Sequence, residues 1–343
     1  MEYRVIQNTP ELDGFFPQWR KLWREDPFAM PFQSPEWLLP WWHQFGQPDL
    51  RAVVIYEGGA AIGFLPFYIY RDPGSRERQL LLLGVGTMDY LDGVFSPRCS
   101  LDNVEQALEI VCTTDGWDRM TALQLRPESL LFKALRRWRH SSLFEAEACS
   151  RIPAVSIKDL PKHVRRNVSY YRNCALREGN LEIVAANNSN WTDLFRDLEH
   201  LHAECWQNRG QSGVLADERV LAWHREAIPE LIRARMLGLY SLRLNGEAIA
   251  AIYTVHDPPY RPNRKQYLYL TGYSTRHAAL SPGTLLLALA IEHAAERDVR
   301  TVDLLRGNES YKHFWHSELI PTYGCTWIRS STGVAHVGSG ATR

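Results

Sequence analysis

The 343-residue sequence has no surplus of either charge, since 39 basic residues balance 39 acidic ones. That excludes a global field drawing nucleic acid or an anionic membrane, so any such attraction has to be local. No apolar run approaches the roughly 20 residues of a membrane span, and the start, MEYRVIQNTPELDGFF, lacks a basic segment followed by an apolar core. The expectation is a cytoplasmic protein with no membrane partner. The six cysteines (Cys99, Cys112, Cys149, Cys174, Cys205, Cys325) show no CxxC spacing, which removes a zinc ribbon and a disulfide framework and leaves reduced core thiols. His200 and His202 point apart on a helix, and His313 and His316 lack a third ligand, so no metal site is expected. Also missing are a G-x-S-x-G elbow, a Walker loop and a dinucleotide fingerprint, which leaves hydrolase, NTPase and dehydrogenase readings without support.

What the chain does have is a repeat. Arg51 to Tyr70 (RAVVIYEGGAAIGFLPFYIY) and Gly238 to His256 (GLYSLRLNGEAIAAIYTVH) both read as apolar strand, glycine turn, apolar strand. In one ungapped register Gly59 falls on Gly246, Ile62 on Ile249, Gln79 on Gln266, Leu81 on Leu268 and Leu83 on Leu270. Each copy continues with a helix (Asn103 to Thr113; Pro282 to Glu296), a strand (Met120 to Leu125; Thr301 to Leu305) and a further helix start at Glu128-Ser129 or Glu309-Ser310. Two domains of one α+β fold are expected, over 1–150 and 151–330, followed by a flexible tail over 331–343. Each would be a mixed, mainly antiparallel sheet flanked by helices. Tryptophans 37, 41 and 42 read as core on a helix capped by Ser34.

The copies differ after their third strand. The second continues SPGTLLLALAIEHAAERDVRTVDLLRGNESYKHFW to Trp315. Ser281 can cap a helix, Pro282 suits its first turn, and Gly283 beside Thr284 lets free backbone N–H groups approach an anion such as a pyrophosphate. The first copy has GVGTMDYLDG in the matching place, and the carboxylates of Asp89 and Asp92 would repel phosphate. Only the second copy is expected to hold a donor. One local basic concentration exists, SIKDLPKHVRRNVSYYRNCALREG from Ser156, with Arg165, Arg166 and Arg172 on the outward side of a helix. It reads as a solvated face, or as a dock for an acidic carrier protein, coenzyme phosphates or RNA. Nucleic acid is the less expected partner, because the balanced charge offers it nothing elsewhere.

The segments F-Q-S-P-E-W at Phe32, I-G-F-L-P-F at Ile62, M-D-Y-L-D at Met88, R-R-N-V at Arg165, L-H-A-E-C-W at Leu201, S-P-G at Ser281 and D-L-L-R-G-N-E-S-Y-K at Asp303 resemble the CelD-like acetyltransferases of the GNAT superfamily. The resemblance covers nearly the whole chain and implies tandem GNAT (acyl-CoA N-acyltransferase) folds, as in Fem-type aminoacyltransferases. It further implies acetyl-CoA or a longer acyl-CoA along the strand ending at Tyr273, with pyrophosphate at Ser281, Pro282, Gly283 and Thr284. By the same resemblance Asn308 and Tyr311 match an asparagine and the tyrosine that protonates the leaving thiolate, and Lys312 matches a charge-stabilising lysine. Transfer to a small-molecule or peptide amine also needs a base, for which Asp303 or Glu309 is the weaker candidate. Each has an inert alternative: Tyr311 as amphipathic packing, Lys312 as a solvated charge, Asp303 as a partner of Arg306, Glu309 as a helix-start acid. The rival functions are a carrier-protein- or aminoacyl-tRNA-dependent transferase and a non-catalytic tandem scaffold.

Overall fold

The computed structural model describes residues 1–47, 49–138 and 141–329. The expected tail, 331–343, lies outside the described residues. Two compact units form: Met1–Glu147 with the segment from Pro321, and Ala148–Ile320.

The first unit begins with strand β1 (Glu2–Ile6) and helix α1 (Thr9–Glu25), whose first turn is capped by Asn8. Helix α2 (Pro35–Phe45) follows, with Trp37, Trp41 and Trp42 all buried as core. Ser34 stands at its N-cap position but makes no capping bond. Strands β2 (Asp49–Leu50), β3 (Ala52–Glu57), β4 (Ala60–Leu65), β5 (Phe67–Arg71), β6 (Arg78–Leu82) and β7 (Val94–Phe95) lead to helix α3 (Leu101–Thr113), strand β8 (Arg119–Leu125) and helix α4 (Leu130–Arg137). The β3–β4 hairpin turns at Gly58 and Gly59, with φ of 56° and 78°, as a two-residue turn requires. Pro66, which has no N–H to give, separates β4, in a sheet of order β1-β3-β4-β7, from β5, which pairs with β2 and β6.

Strand β9 (Ser142–Pro153) carries the chain into the second unit. There follow helix α5 (Lys162–Glu178), strand β10 (Leu181–Ala185), helices α6 (Trp191–Gln207) and α7 (Glu218–Arg233), strands β11 (Leu237–Leu244), β12 (Glu247–His256) and β13 (Lys265–Tyr273), helix α8 (Pro282–Glu296), strand β14 (Thr301–Arg306) and helix α9 (Ser310–Phe314). The sheet runs β10-β11-β12-β13-β14, with the Cys149–Pro153 end of β9 antiparallel to β14. Helix α8 is apolar on nearly every side, and Leu285, Leu286, Leu287, Ala290 and Ile291 all sit in the core. The expectation that no apolar run approaches a membrane span is corrected by Ala278–Glu296, which has the length and composition of one, but in this fold it is a core helix.

The repeat is visible in the topology. Unit one has a three-rung parallel ladder between β6 and β8, starting at Gln79↔Arg119, and unit two has one between β13 and β14 that includes Gln266↔Val302. The last strand, β15 (Glu318–Ile328), differs from the expected 151–330 boundary. From Tyr323 it pairs antiparallel with β8, so the closing segment completes the first unit's sheet. Local periodicity identifies such a strand but not the partner it will join. None of the cysteines is in a disulfide, and all but Cys174 are buried.

Candidate active site

Strands β13 and β14 are parallel, so their carboxyl ends lie at the same edge of the sheet. Their ladder has only the rungs Lys265↔Thr301, Gln266↔Val302 and Tyr267↔Asp303. Beyond it β13 stays with β12 while β14 pairs with β9 at Ser150 and Cys149, and the two strands part. A cleft bounded by carboxyl strand ends is where open sheets of this kind receive ligands. Bulges at Tyr269 and Leu304, each skipped in its ladder, accompany the separation.

The first turn of α8 opens at that edge. Ser281 occupies the N-cap in a left-handed conformation (φ 47°, ψ 53°), and its hydroxyl donates to Thr284 Oγ1 at 2.9 Å rather than capping a backbone N–H. The expected side-chain cap is therefore corrected, and the correction favours an external anion, because Ser281 leaves the first-turn N–H groups of Gly283 and Thr284 without its cap. Pro282 fills the first helical position and is buried. A side chain at Gly283 would begin 3.3 Å from the Tyr273 ring, so Tyr273 lies against the turn.

The motif L-H-A-E-C-W holds this corner in place, although the sequence reading gave its residues no role. Cys205 Sγ donates to Tyr273 O (3.0 Å) and accepts from Tyr273 N (3.1 Å). Burial pushes that thiol's pKa up, which keeps it protonated. Glu204 accepts from Thr275 N and Thr275 Oγ1, both at 2.6 Å, and so fixes the loop from β13 to α8. Burial alone would raise the Glu204 carboxyl, but these bonds outweigh it and lower its pKa. Arg209 donates to Tyr273 Oη at 3.4 Å and stands 5.3 Å over the Trp206 ring. Gly272 is obligatory here, because a Cβ would meet the backbone N of His202 at 2.4 Å.

The second cluster lies at the end of β14, and it departs from the expected roles. Lys312 is 1% exposed, and its ammonium donates to Leu305 O (3.1 Å), Arg306 O (2.5 Å) and Gly307 O (3.2 Å) while pairing with Glu309 at 2.9 Å. Three donors facing three carbonyls leave no proton for an oxyanion, so Lys312 is a lock on the β14–α9 corner rather than a charge stabiliser. Asp303 is fully buried, paired with Arg151 at 3.1 Å and accepting from Leu305 N at 2.9 Å. Held by these contacts, it is not a free base. Glu309 stands at the N-cap position of α9 without a side-chain capping bond, folds over Gly307 and is tied to Lys312, so it too is structural. Asn308 and Tyr311 are exposed at this corner, Tyr311 at 40%.

In the first unit the corresponding space is filled. Leu91 N donates to Gln124 O (3.2 Å) beyond the last β6–β8 rung, and Gln33 Nε2 donates to the carbonyl of buried Tyr90. Asp92 is sealed in, 3.2 Å from Arg126 and accepting 2.6 Å from Ser129 Oγ. Helix α3 is closed by its own capping box, Ser100 with Asn103. The M-D-Y-L-D segment is thus internal packing, not a surface repelling phosphate.

Residues 162–313 match the family model described as an acetyltransferase (GNAT) domain. The second unit is a GNAT acyltransferase domain. Among solved structures, FemX aligns over 96% of this chain and 98% of its own (TM-score 0.65, 9% identity). The C-terminal domain of a putative lysylphosphatidylglycerol synthetase from Agrobacterium fabrum covers 93% and 92% (TM-score 0.60, 12% identity). A tandem GNAT protein from the clavulanic acid biosynthesis pathway covers 95% and 98% (TM-score 0.51, 14% identity). These likenesses show the fold, a tandem GNAT, along essentially the full chain. No curated protein matches it by sequence.

Proposed function

We propose that the second unit moves an acyl group from an acyl-CoA thioester to an amine. The observation that carries this reading is the cleft between the carboxyl ends of β13 and β14, with the uncapped first turn of α8 at its edge. Gly283 and Thr284 N–H groups suit the donor's pyrophosphate, Arg209 adds a nearby cation, and Tyr273 borders the thioester arm. Bound there, acyl-CoA would supply an activated carbonyl and a thiolate leaving group. Tyr311, exposed on α9, is the proton source for that thiolate, and backbone N–H groups near Tyr273 serve the oxyanion. The first unit carries no donor, its matching space being packed.

Calorimetry with acetyl-CoA and longer acyl-CoAs tests this. Binding is expected in the wild type and lost in Gly283→Asp, which adds a carboxylate against Tyr273 where phosphate would sit; unchanged binding counts against the donor site. CelD-like kinship and a cytoplasmic setting belong to the same proposal.

A second donor class has its own support. Helix α5 exposes Lys162, Arg165, Arg166, Arg172 and Arg177 on one side, a surface for an acidic carrier protein or an aminoacyl-tRNA. Salt-sensitive RNA or carrier binding that an Arg165/Arg166 double alanine variant loses would favour it.

A further inference from the structure

Helix α5 has an outward side that its own fold does not account for. From Lys162 to Arg177 the sequence KHVRRNVSYYRNCALR holds Lys162, Arg165, Arg166, Arg172 and Arg177 and no acidic residue. Val164, Val168 and Ala175 face the core, and all five cations are exposed. Lys162 and Arg165 stand in the first turn, where the helix dipole is positive, and neither a side-chain cap nor an acid offsets them. A merely solvated helix gains from acids at that end and from opposite charges three or four residues apart. Among the described residues Arg165 donates to the Lys158 carbonyl (2.7 Å), while Lys162, Arg166, Arg172 and Arg177 have no ion pair. These charges weaken the helix that carries them, so their use lies outside it.

Lys162, Arg166 and Arg177 follow one line along the helix for about 22 Å. Tyr170, 64% exposed, and Leu176, 51% exposed, stand on opposite flanks of that line. Ile183 of β10, 43% exposed, pairs with Leu242, which belongs to the core under α5, so it shares the sheet face that α5 covers. Cations therefore occupy the centre and apolar side chains the margins. A protein interface has the reverse order, an apolar core depleted of charge inside a polar rim, so an acidic carrier protein fits poorly. RNA would satisfy the cations and stack on Tyr170, but it offers nothing to the aliphatic Leu176 and Ile183. A phospholipid surface serves both sets, with phosphates for the cations and the boundary of the acyl chains for the apolar flanks.

We propose that this side of the second unit docks on an anionic phospholipid bilayer. The balanced charge of the whole chain, which gave the expectation of no membrane partner, hides so local a field. Attachment is peripheral, because the apolar side of α5 stays in the protein core and only the three flanking side chains enter the interface. His163 Nε2 donates to Phe314 O (3.0 Å) at the end of α9, and α5 packs on Ala278–Leu280 just before α8, so the docked face adjoins both corners of the cleft. Docking of this kind goes beyond the acyltransferase reading and does not depend on it.

The full chain is sedimented with vesicles of phosphatidylcholine mixed with phosphatidylglycerol, and with vesicles of phosphatidylcholine alone. The mixed vesicles should bind it about tenfold or more tighter, and the preference should vanish toward about 1 M salt, where the screening length is about 3 Å. Each cation near such a surface is worth about fivefold, so Arg166→Gln with Arg177→Gln should weaken binding about 20-fold, and Lys162→Gln with Arg172→Gln should do the same. All four positions are exposed, and melting temperatures at the wild-type value confirm that the fold is kept. Tyr170→Ser with Leu176→Ser should lose about tenfold at unchanged charge, which a purely electrostatic attachment would not show. Equal binding to both kinds of vesicle, no binding to either, or wild-type binding by any of the three double variants overturns the docking surface. So does tighter binding of bulk tRNA or of a purified acidic acyl carrier protein that the cation variants lose, since the surface then belongs to that partner. Calorimetry with acetyl-CoA is run on the same preparations: a failure there sinks the donor assignment and leaves the vesicle result standing.

Discussion

Tyr267 and Asp303 stand opposite each other in the last rung of the parallel ladder, and past them β13 and β14 share no further pair. One member of that rung is a buried aromatic, and the other is a carboxylate held by Arg151. The start of the cleft is therefore fixed by core packing on one side and an ion pair on the other.

Lys312 should matter for stability as well as for rate. Replacing it by methionine leaves three carbonyls at the β14–α9 corner without their donor, a loss of about 2 kcal/mol. Urea denaturation measures it, and a wild-type midpoint in Lys312→Met would refute the lock.

Tyr311→Phe should behave in the opposite way. The side chain is substantially exposed, so stability stays within roughly 0.5 kcal/mol. The rate of acyl transfer falls about 100-fold if its hydroxyl protonates the thiolate, with donor affinity unchanged. Steady-state kinetics beside calorimetry separates the two.

Glu204→Ala releases Thr275 and, with it, the loop leading into α8. Donor affinity should drop about tenfold, near 1.4 kcal/mol, without any loss of a group that touches the donor. An unchanged dissociation constant would mean that the loop holds its shape unaided.

Asp92 gives the first unit a pH signature. Burial raises its carboxyl from 3.8 to about 6 against the opposing pull of Arg126, a difference of two units or roughly 3 kcal/mol. A folded-state pKa above the unfolded one contributes stability that is complete below pH 3.8 and disappears as pH rises through about 6. The stability of the wild type relative to Asp92→Asn should therefore rise as pH falls from about 7 to 4. A flat difference across that window would show that Asp92 titrates normally.

Much of this was legible in the residues. Asn245-Gly246 and Gly58-Gly59 announce their hairpins because positive φ is nearly confined to such pairs, and both turns form there. The register linking Gln79 to Gln266 carried through to matching parallel ladders. Residue types at the α8 start were informative too, although Ser281 bonds to Thr284 instead of the backbone. What stayed hidden depends on distant partners. Arg151 reaches Asp303 across 152 positions, and no local pattern reveals such a pair. Lys312 followed a tyrosine in a polar turn and looked catalytic, yet it is buried because the Leu305 backbone, at φ 61°, turns its carbonyl toward the ammonium. His202 was set aside for lacking a metal-ligand spacing, and only the fold brings it to a cavity wall.

The pairing of β15 with β8 sets an order of assembly. Cys325 meets Ala122 only after about two hundred intervening residues have been made, so a nascent chain can complete the GNAT domain before its first sheet has its final strand. The N-terminal half must wait, with β8 unpaired on that side, until β15 has been made. Until then β8 presents an open sheet margin, which makes that margin the place where chaperones or aggregation compete for this protein.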